Sequence, residues 1–96
     1  MKIENMISAK GNRIANQFKI QTKDRIFFQS YNSIIASITK GGKIELYKDW
    51  DYSNTTRKYL YQFLWDWGYR NLYNKKQVEA AIKSGDIAYK EIAPNI

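Results

Sequence analysis

An α+β fold is what this sequence predicts: an antiparallel, four- to five-stranded meander packed by one main helix and a second short helix. Three observations carry that expectation. Apolar residues alternate with period two between residues 13 and 47, they adopt helical spacing from residue 54 onward, and turn-forming pairs separate the alternating runs. Ninety-six residues are enough for one core, so the chain 1–96 reads as a single domain.

Within residues 13–22, Ile14, Asn16, Phe18 and Ile20 share one parity and Arg13, Gln17, Lys19 and Gln21 the other, which is the pattern of a half-buried strand. Lys23-Asp24 can turn the chain into residues 25–31, where Ile26 and Phe28 continue the inner face while Arg25, Phe27, Gln29 and Tyr31 look outward. Residues 34–39 are apolar and rich in β-branched side chains, hence a third strand. Gly41-Gly42 offers the positive φ angles of a type I′ or II′ turn before a fourth strand over residues 43–47. Such short connections force neighbours to pair, so spatial order should follow chain order. Residues 1–11 are expected to fray.

From residue 53 the period changes. Ser53 or Asn54 can cap a helix whose one face carries Thr56, Tyr59, Leu60, Phe63, Leu64 and Trp67, and which Gly68 can end. Asn74 likewise caps a shorter helix through Lys83, with Val78, Ala81 and Ile82 inward and Gly85 as its stop. Residues 87–92 then read as a fifth, edge-type strand that Pro94 terminates.

Chemistry of turnover is hard to place on these residues. The chain has no histidine and no cysteine, so the usual neutral-pH proton shuttle, the thiolate nucleophile and thiolate metal ligands are all missing. Asp49 and Asp51 form a D-x-D pair, but hard cations demand more oxygen ligands than the neighbourhood supplies. Asp51 fits better as a negative charge at the start of the first helix. Gly41-Gly42-Lys43 lacks the spacing of a phosphate-binding loop. The expectation is therefore a protein without enzymatic activity, cofactor or metal. No apolar run approaches the roughly 18 residues of a membrane span, and a cysteine-free chain suits a reducing cytoplasm.

What remains is contact. The net charge is +7, concentrated in residues 1–48, where nine Lys/Arg face three acids. That field attracts polyanions or an acidic protein surface. Three Trp, eight Tyr and four Phe are too many rings for one small interior. Arg57, Tyr61 and Trp65 recur every four residues beside the core stripe and, with Arg70 nearby, form a candidate partner-binding edge. The alternative is a nucleic-acid platform on the sheet, where Arg13, Lys19, Arg25, Phe27, Tyr31, Lys43 and Tyr47 share the outward parity. There the cations would hold phosphates of RNA or DNA while rings stack on unpaired bases.

Several motifs stand together: Asn16-Gln17-Phe18, Phe28-Gln29-Ser30-Tyr31 with Ser33-Ile34-Ile35-Ala36, Gly42-Lys43, and Trp50-Asp51-Tyr52-Ser53 with Thr55-Thr56 and Lys58-Tyr59. As a set they resemble a family of small uncharacterised bacteriophage proteins, of the kind classed as a domain of unknown function. The similarity runs from about Asn12 to Leu64, and Lys83-Ser84-Gly85-Asp86 resembles the family's ending. Residues 65–73 depart from the pattern by being richer in aromatics. The resemblance implies a phage or prophage accessory product that works in the cytoplasm of a bacterial host. The function expected from it is an anti-CRISPR-like inhibitor that binds a host protein or ribonucleoprotein complex and blocks it sterically.

Overall fold

The alternating segments assemble into one six-stranded sheet in the computed structural model, which describes residues 1–96. The strands are β1 (Lys2–Ile7), β2 (Arg13–Gln21), β3 (Arg25–Ser30), β4 (Ser33–Thr39), β5 (Ile44–Tyr47) and β6 (Ile87–Lys90). Between β5 and β6 lie a 3₁₀ turn (Lys48–Asp51), helix α1 (Asn54–Asp66) and helix α2 (Lys75–Ser84). The α+β class and the chain-ordered meander are as expected. The sheet has more strands than the sequence predicts, and it is mixed: β1 to β5 pair antiparallel, while β6 runs parallel to β5.

The extra strand is β1, in the segment expected to fray. Lys2, Ile3, Glu4 and Asn5 pair with Gln21, Ile20, Lys19 and Phe18. Glu4 forms ion pairs with Lys2 at 3.0 Å and with Lys19 at 3.6 Å, and Met6 is buried in the core. An open edge strand keeps most side chains in water, so β1 carries little apolar alternation and looks like coil in sequence.

The assignment of inner residues on β2 also needs correction. Ile14 packs with the helix-side core, whereas Ile20, of the same sequence parity, packs on the opposite face. The cause is a bulge: Ile7 pairs with Arg13 but Asn5 with Phe18, and Asn16 sits at φ 63° inside the irregular stretch. One irregular residue exchanges the two faces of everything after it. Gln17 consequently points toward the helices and is buried, while Lys19 stands across from Phe28.

The main core lies between the sheet and the helices. Ile26, Phe28, Ile35, Ile38, Ile44, Leu46 and Ile87 from the sheet meet Trp50, Leu60, Phe63, Leu64 and Val78. Each such burial contributes roughly 1.5 to 3 kcal/mol. A smaller cluster of Ile20, Phe27 and Tyr47 occupies the other face, where Ala93 packs against it. The segment after β6 therefore lies across that face, with Pro94 beside Phe27 and Tyr47.

Both helix starts follow the expected caps: Ser53 Oγ accepts from the Thr56 amide at 3.1 Å, and Asn74 Oδ1 from the Gln77 amide at 2.8 Å. Thr56, Leu60, Phe63 and Leu64 face inward on α1. Trp67, expected inward, is largely exposed because α1 ends at Asp66 and Gly68, at φ 96°, swings the chain away. Asp51 joins the two helices by holding Arg57 on α1 and Lys75 on α2, the latter at 2.8 Å. Hydrogen bonding from Lys75, with Arg57 adding to it, holds the Asp51 carboxyl below its ordinary pKa.

The β4–β5 connection is a loop over residues 40–43, longer than the two-residue turn predicted. Gly42 adopts φ 90°, and a methyl group placed there would sit 3.2 Å from the Tyr69 hydroxyl, which donates to the Gly42 carbonyl. Gly42→Ala should thus destabilise the protein by about 1–2 kcal/mol through left-handed backbone strain. An unchanged urea midpoint would show that the loop readjusts without cost.

Candidate functional site

The last turn of α1 and the loop that follows it gather exposed rings. Trp65 is 46% exposed, and Trp67 and Tyr73 are also open to solvent. Gly68 reverses the chain so that Arg70 returns over Trp65, its guanidinium carbon 4.8 Å from the ring centroid. Tyr69 fixes the same loop from below through its bond to Gly42 on the β4–β5 loop. The cation–π stack holds two long side chains in one orientation before any partner arrives, which lowers the entropy lost on binding.

The four residues predicted for a partner-binding edge are only partly brought together. Trp65 and Arg70 touch. Tyr61, one turn earlier, is half-buried against the core, and burial pushes its phenol above the ordinary pKa. Arg57, two turns from Trp65, is turned away toward Asp51 and Asn54 and serves the helix–helix junction. Its partner on the preceding 3₁₀ turn was visible in sequence, but nothing in a four-residue periodicity indicates which neighbour an arginine will choose.

The seven residues predicted for a sheet platform do not share one open face, and this expectation is corrected. Phe27 and Tyr47 are buried, with Ala93 packed against them. Lys19 stands on the helix side, paired with Glu4. Arg25 is committed to Glu45 at 3.0 Å and to Ser37 at 3.3 Å, and packs over Phe27. Arg13 and Lys43 are exposed but lie on different strands or loops, and Tyr31 projects from the β3–β4 turn. The bulge at Asn16 and the segment crossing the second face account for the difference.

Sequence reasoning missed the polar cluster of Arg25, Ser37, Glu45 and Tyr47. Glu45 and Tyr47 share a parity on β5, and that was the available signal. The Ser37 and Tyr47 hydroxyls lie 2.8 Å apart, and Tyr47 donates to Glu45 at 3.1 Å. No group of three or more His, Cys, Asp or Glu side chains is placed to hold a metal ion. No helix is long and apolar enough to cross a membrane.

The fold and this surface define a small α+β domain with a mixed six-stranded sheet and an aromatic, cation-capped edge. The chain belongs to DUF8033, a family of unknown function whose model matches residues 1–85. The match stops just before β6, so the last strand and the segment across the second face lie outside it. No curated protein and no solved structure matches the chain.

Proposed function

We propose that this chain is a non-enzymatic accessory protein of bacteriophage origin, acting in the cytoplasm of the bacterial host, that inhibits a host defence complex by steric blockade in an anti-CRISPR-like manner. The observation that carries the reading is the Arg70–Trp65 stack at the exposed end of α1, in a stretch of chain where Trp67 and Tyr73 are exposed as well. Trp, Tyr and Arg dominate binding hot spots; the rings bring large rigid area at little conformational cost, and Arg70 is already held against Trp65. The charge of +7 supports a target with an acidic or nucleic-acid-handling surface, toward which it would steer the encounter.

Changing Trp65 and Arg70 together to alanine should leave the fold intact and weaken binding to the target by about thirtyfold or more, the scale of a hot spot. The measurement is affinity purification from infected host cells, with and without nuclease, comparing wild type with the double variant. A defined host complex that survives nuclease and is lost with the variant supports the reading. Equal recovery with the variant overturns it. Capture of nucleic acid alone, with log affinity falling roughly 0.7 to 0.9 per neutralised phosphate as log salt rises, would point to direct nucleic-acid binding instead.

A further inference from the structure

Strand β1 is a border of the sheet, with β2 on one side and no strand on the other. It holds apolar side chains in water: Ile3 is 59% exposed, and Met1 beside it more so. Both stand on the face of the sheet that carries Ile20, whereas Lys2 and Glu4 stand on the helix side with Lys19.

The hydrogen bonds fix which backbone groups this border leaves open. Thr22 N–H donates to the Arg25 carbonyl at 2.9 Å and Tyr31 N–H to the Asn16 carbonyl at 2.8 Å, so the even-numbered residues from Asn16 to Thr22 turn their backbone groups toward β3. Lys19 and Gln21 then bond to β1, where they stand opposite Glu4 and Lys2. By the same alternation the N–H and C=O groups of Ile3 and Asn5 point away from the sheet. An unpaired row of this kind is a template for another strand.

Charge and register decide which strand fits. Open edges are commonly guarded by lysine, but here Lys2 alternates with Glu4, which makes the border complementary to itself. In an antiparallel pairing of two copies, outward-pointing groups meet only when the two-fold axis passes through a residue. Centring on Lys2 or Glu4 would set like charges face to face. Centring on Asn5 or Met6 would run into the bulge between Asn5 and Ile7, where the Ile7 carbonyl already accepts from Gln62 at 2.8 Å. Centring on Ile3 lets the two Ile3 residues exchange both N–H···O bonds and bring their side chains together. It also sets each Lys2 against the partner's Glu4 at the closer position of the ladder. Glu4 would then lie between Lys19 of its own chain and Lys2 of the second copy.

We propose that β1 pairs with β1 of a second copy of this chain about a two-fold axis at Ile3, joining the two sheets into one. The surface is separate from the Trp65–Arg70 edge and does not depend on what that edge binds. A strand pair this short falls at the small end of specific interfaces, so the dimer is expected to form only between about 10 µM and about 1 mM.

Sedimentation equilibrium over that range should show the mass rising from 11.4 kDa toward twice that value. Ile3→Pro removes an N–H that has no partner in the single molecule. It should leave the melting temperature of the monomer nearly unchanged and weaken association by about tenfold or more, since each copy loses one bond. Lys2→Glu and Glu4→Lys should each abolish self-association, because each sets like charges across the axis. Mixed together, these two variants should associate again, one supplying both carboxylates and the other both ammonium groups. A mass of 11.4 kDa at every concentration overturns the proposal and leaves the border to a strand of another protein. A dimer that Ile3→Pro leaves intact overturns it as well, as does a mixture that associates no better than its components.

Discussion

Phe63→Ala is expected to lower the unfolding free energy by about 3–5 kcal/mol, a large part of the 5 to 15 kcal/mol that typical domains possess. Phe63 is 1% exposed, and its ring lies 5.6 Å from that of Phe28 at an interplanar angle of 25°. It is flanked on α1 by the fully buried Leu60 and Leu64, so truncation removes the contact through which the helix registers against β3. Neighbours on a hydrogen-bonded sheet cannot move in to fill the space, which places the cost in the cavity-forming range instead of the simple transfer range. The urea midpoint should fall with little change in slope. Wild-type stability in the variant would mean that α1 packs through another face.

A second large effect is expected from Glu45→Gln. Glu45 lies on β5, where all four residues are buried, between β4 and β6. Its carboxylate receives Arg25 at 3.0 Å, the Tyr47 hydroxyl at 3.1 Å and the Lys90 ammonium at 3.5 Å. Burial acts to raise its pKa, but the hydrogen bonds from Tyr47 and Arg25 and the charges of Arg25 and Lys90 outweigh it and hold the group below its ordinary 4.5. Removing the charge from a fully enclosed pair costs about 3–5 kcal/mol. Here the Arg25 and Lys90 side chains retain 30% and 55% exposure, so both can rehydrate, and solvent screening brings the expected loss to about 2 kcal/mol.

The sign of the pH dependence follows from the depressed pKa. Stability contributed by Glu45 is complete above the ordinary glutamate value and is lost as pH falls through the lower value of the folded protein. Wild type should therefore exceed Glu45→Gln in melting temperature at neutral pH, and the gap should begin to narrow below about pH 4, near the unfolded pKa, and close only as pH falls on through the lower value of the folded protein. A gap that stays constant down to acidic pH would show that the variant acts through shape and not through charge.

The parts of the fold legible in sequence were those where chemistry is local. Ser53 and Asn74 announced the helix starts, Gly85 the end of α2, and Leu60, Phe63 and Leu64 the buried stripe, because caps and a 3.6-residue period are properties of short segments. Strands β3 to β5 were legible for the same reason. β1 was not, since only Met6 on it is buried, and the facing of β2 was not, since a single left-handed residue at Asn16 exchanges its sides without altering the alternation of letters. The candidate site divides along the same line. Trp65 was legible as a ring beside the core stripe, and its contact with Arg70 depends on a chain reversal at Gly68 that composition does not encode in direction. Phe27 and Tyr47 looked available because residues 91 and 92 read as a continuation of the last strand, which in fact ends at Lys90, and residues 93–96 carried no pattern to suggest that this segment crosses the sheet.

Strand β6 lies beside β5 in space, yet residues 48–86 separate them along the chain. The antiparallel hairpins need only short closures, whereas this pairing must wait until both helices have been laid down, and closing so long a loop carries an entropic penalty that no local contact offsets. Assembly should accordingly begin among β2 to β5 and finish at the opposite border of the sheet. The lid over Phe27 and Tyr47 would then be the last piece to arrive, and the first to open when the molecule breathes.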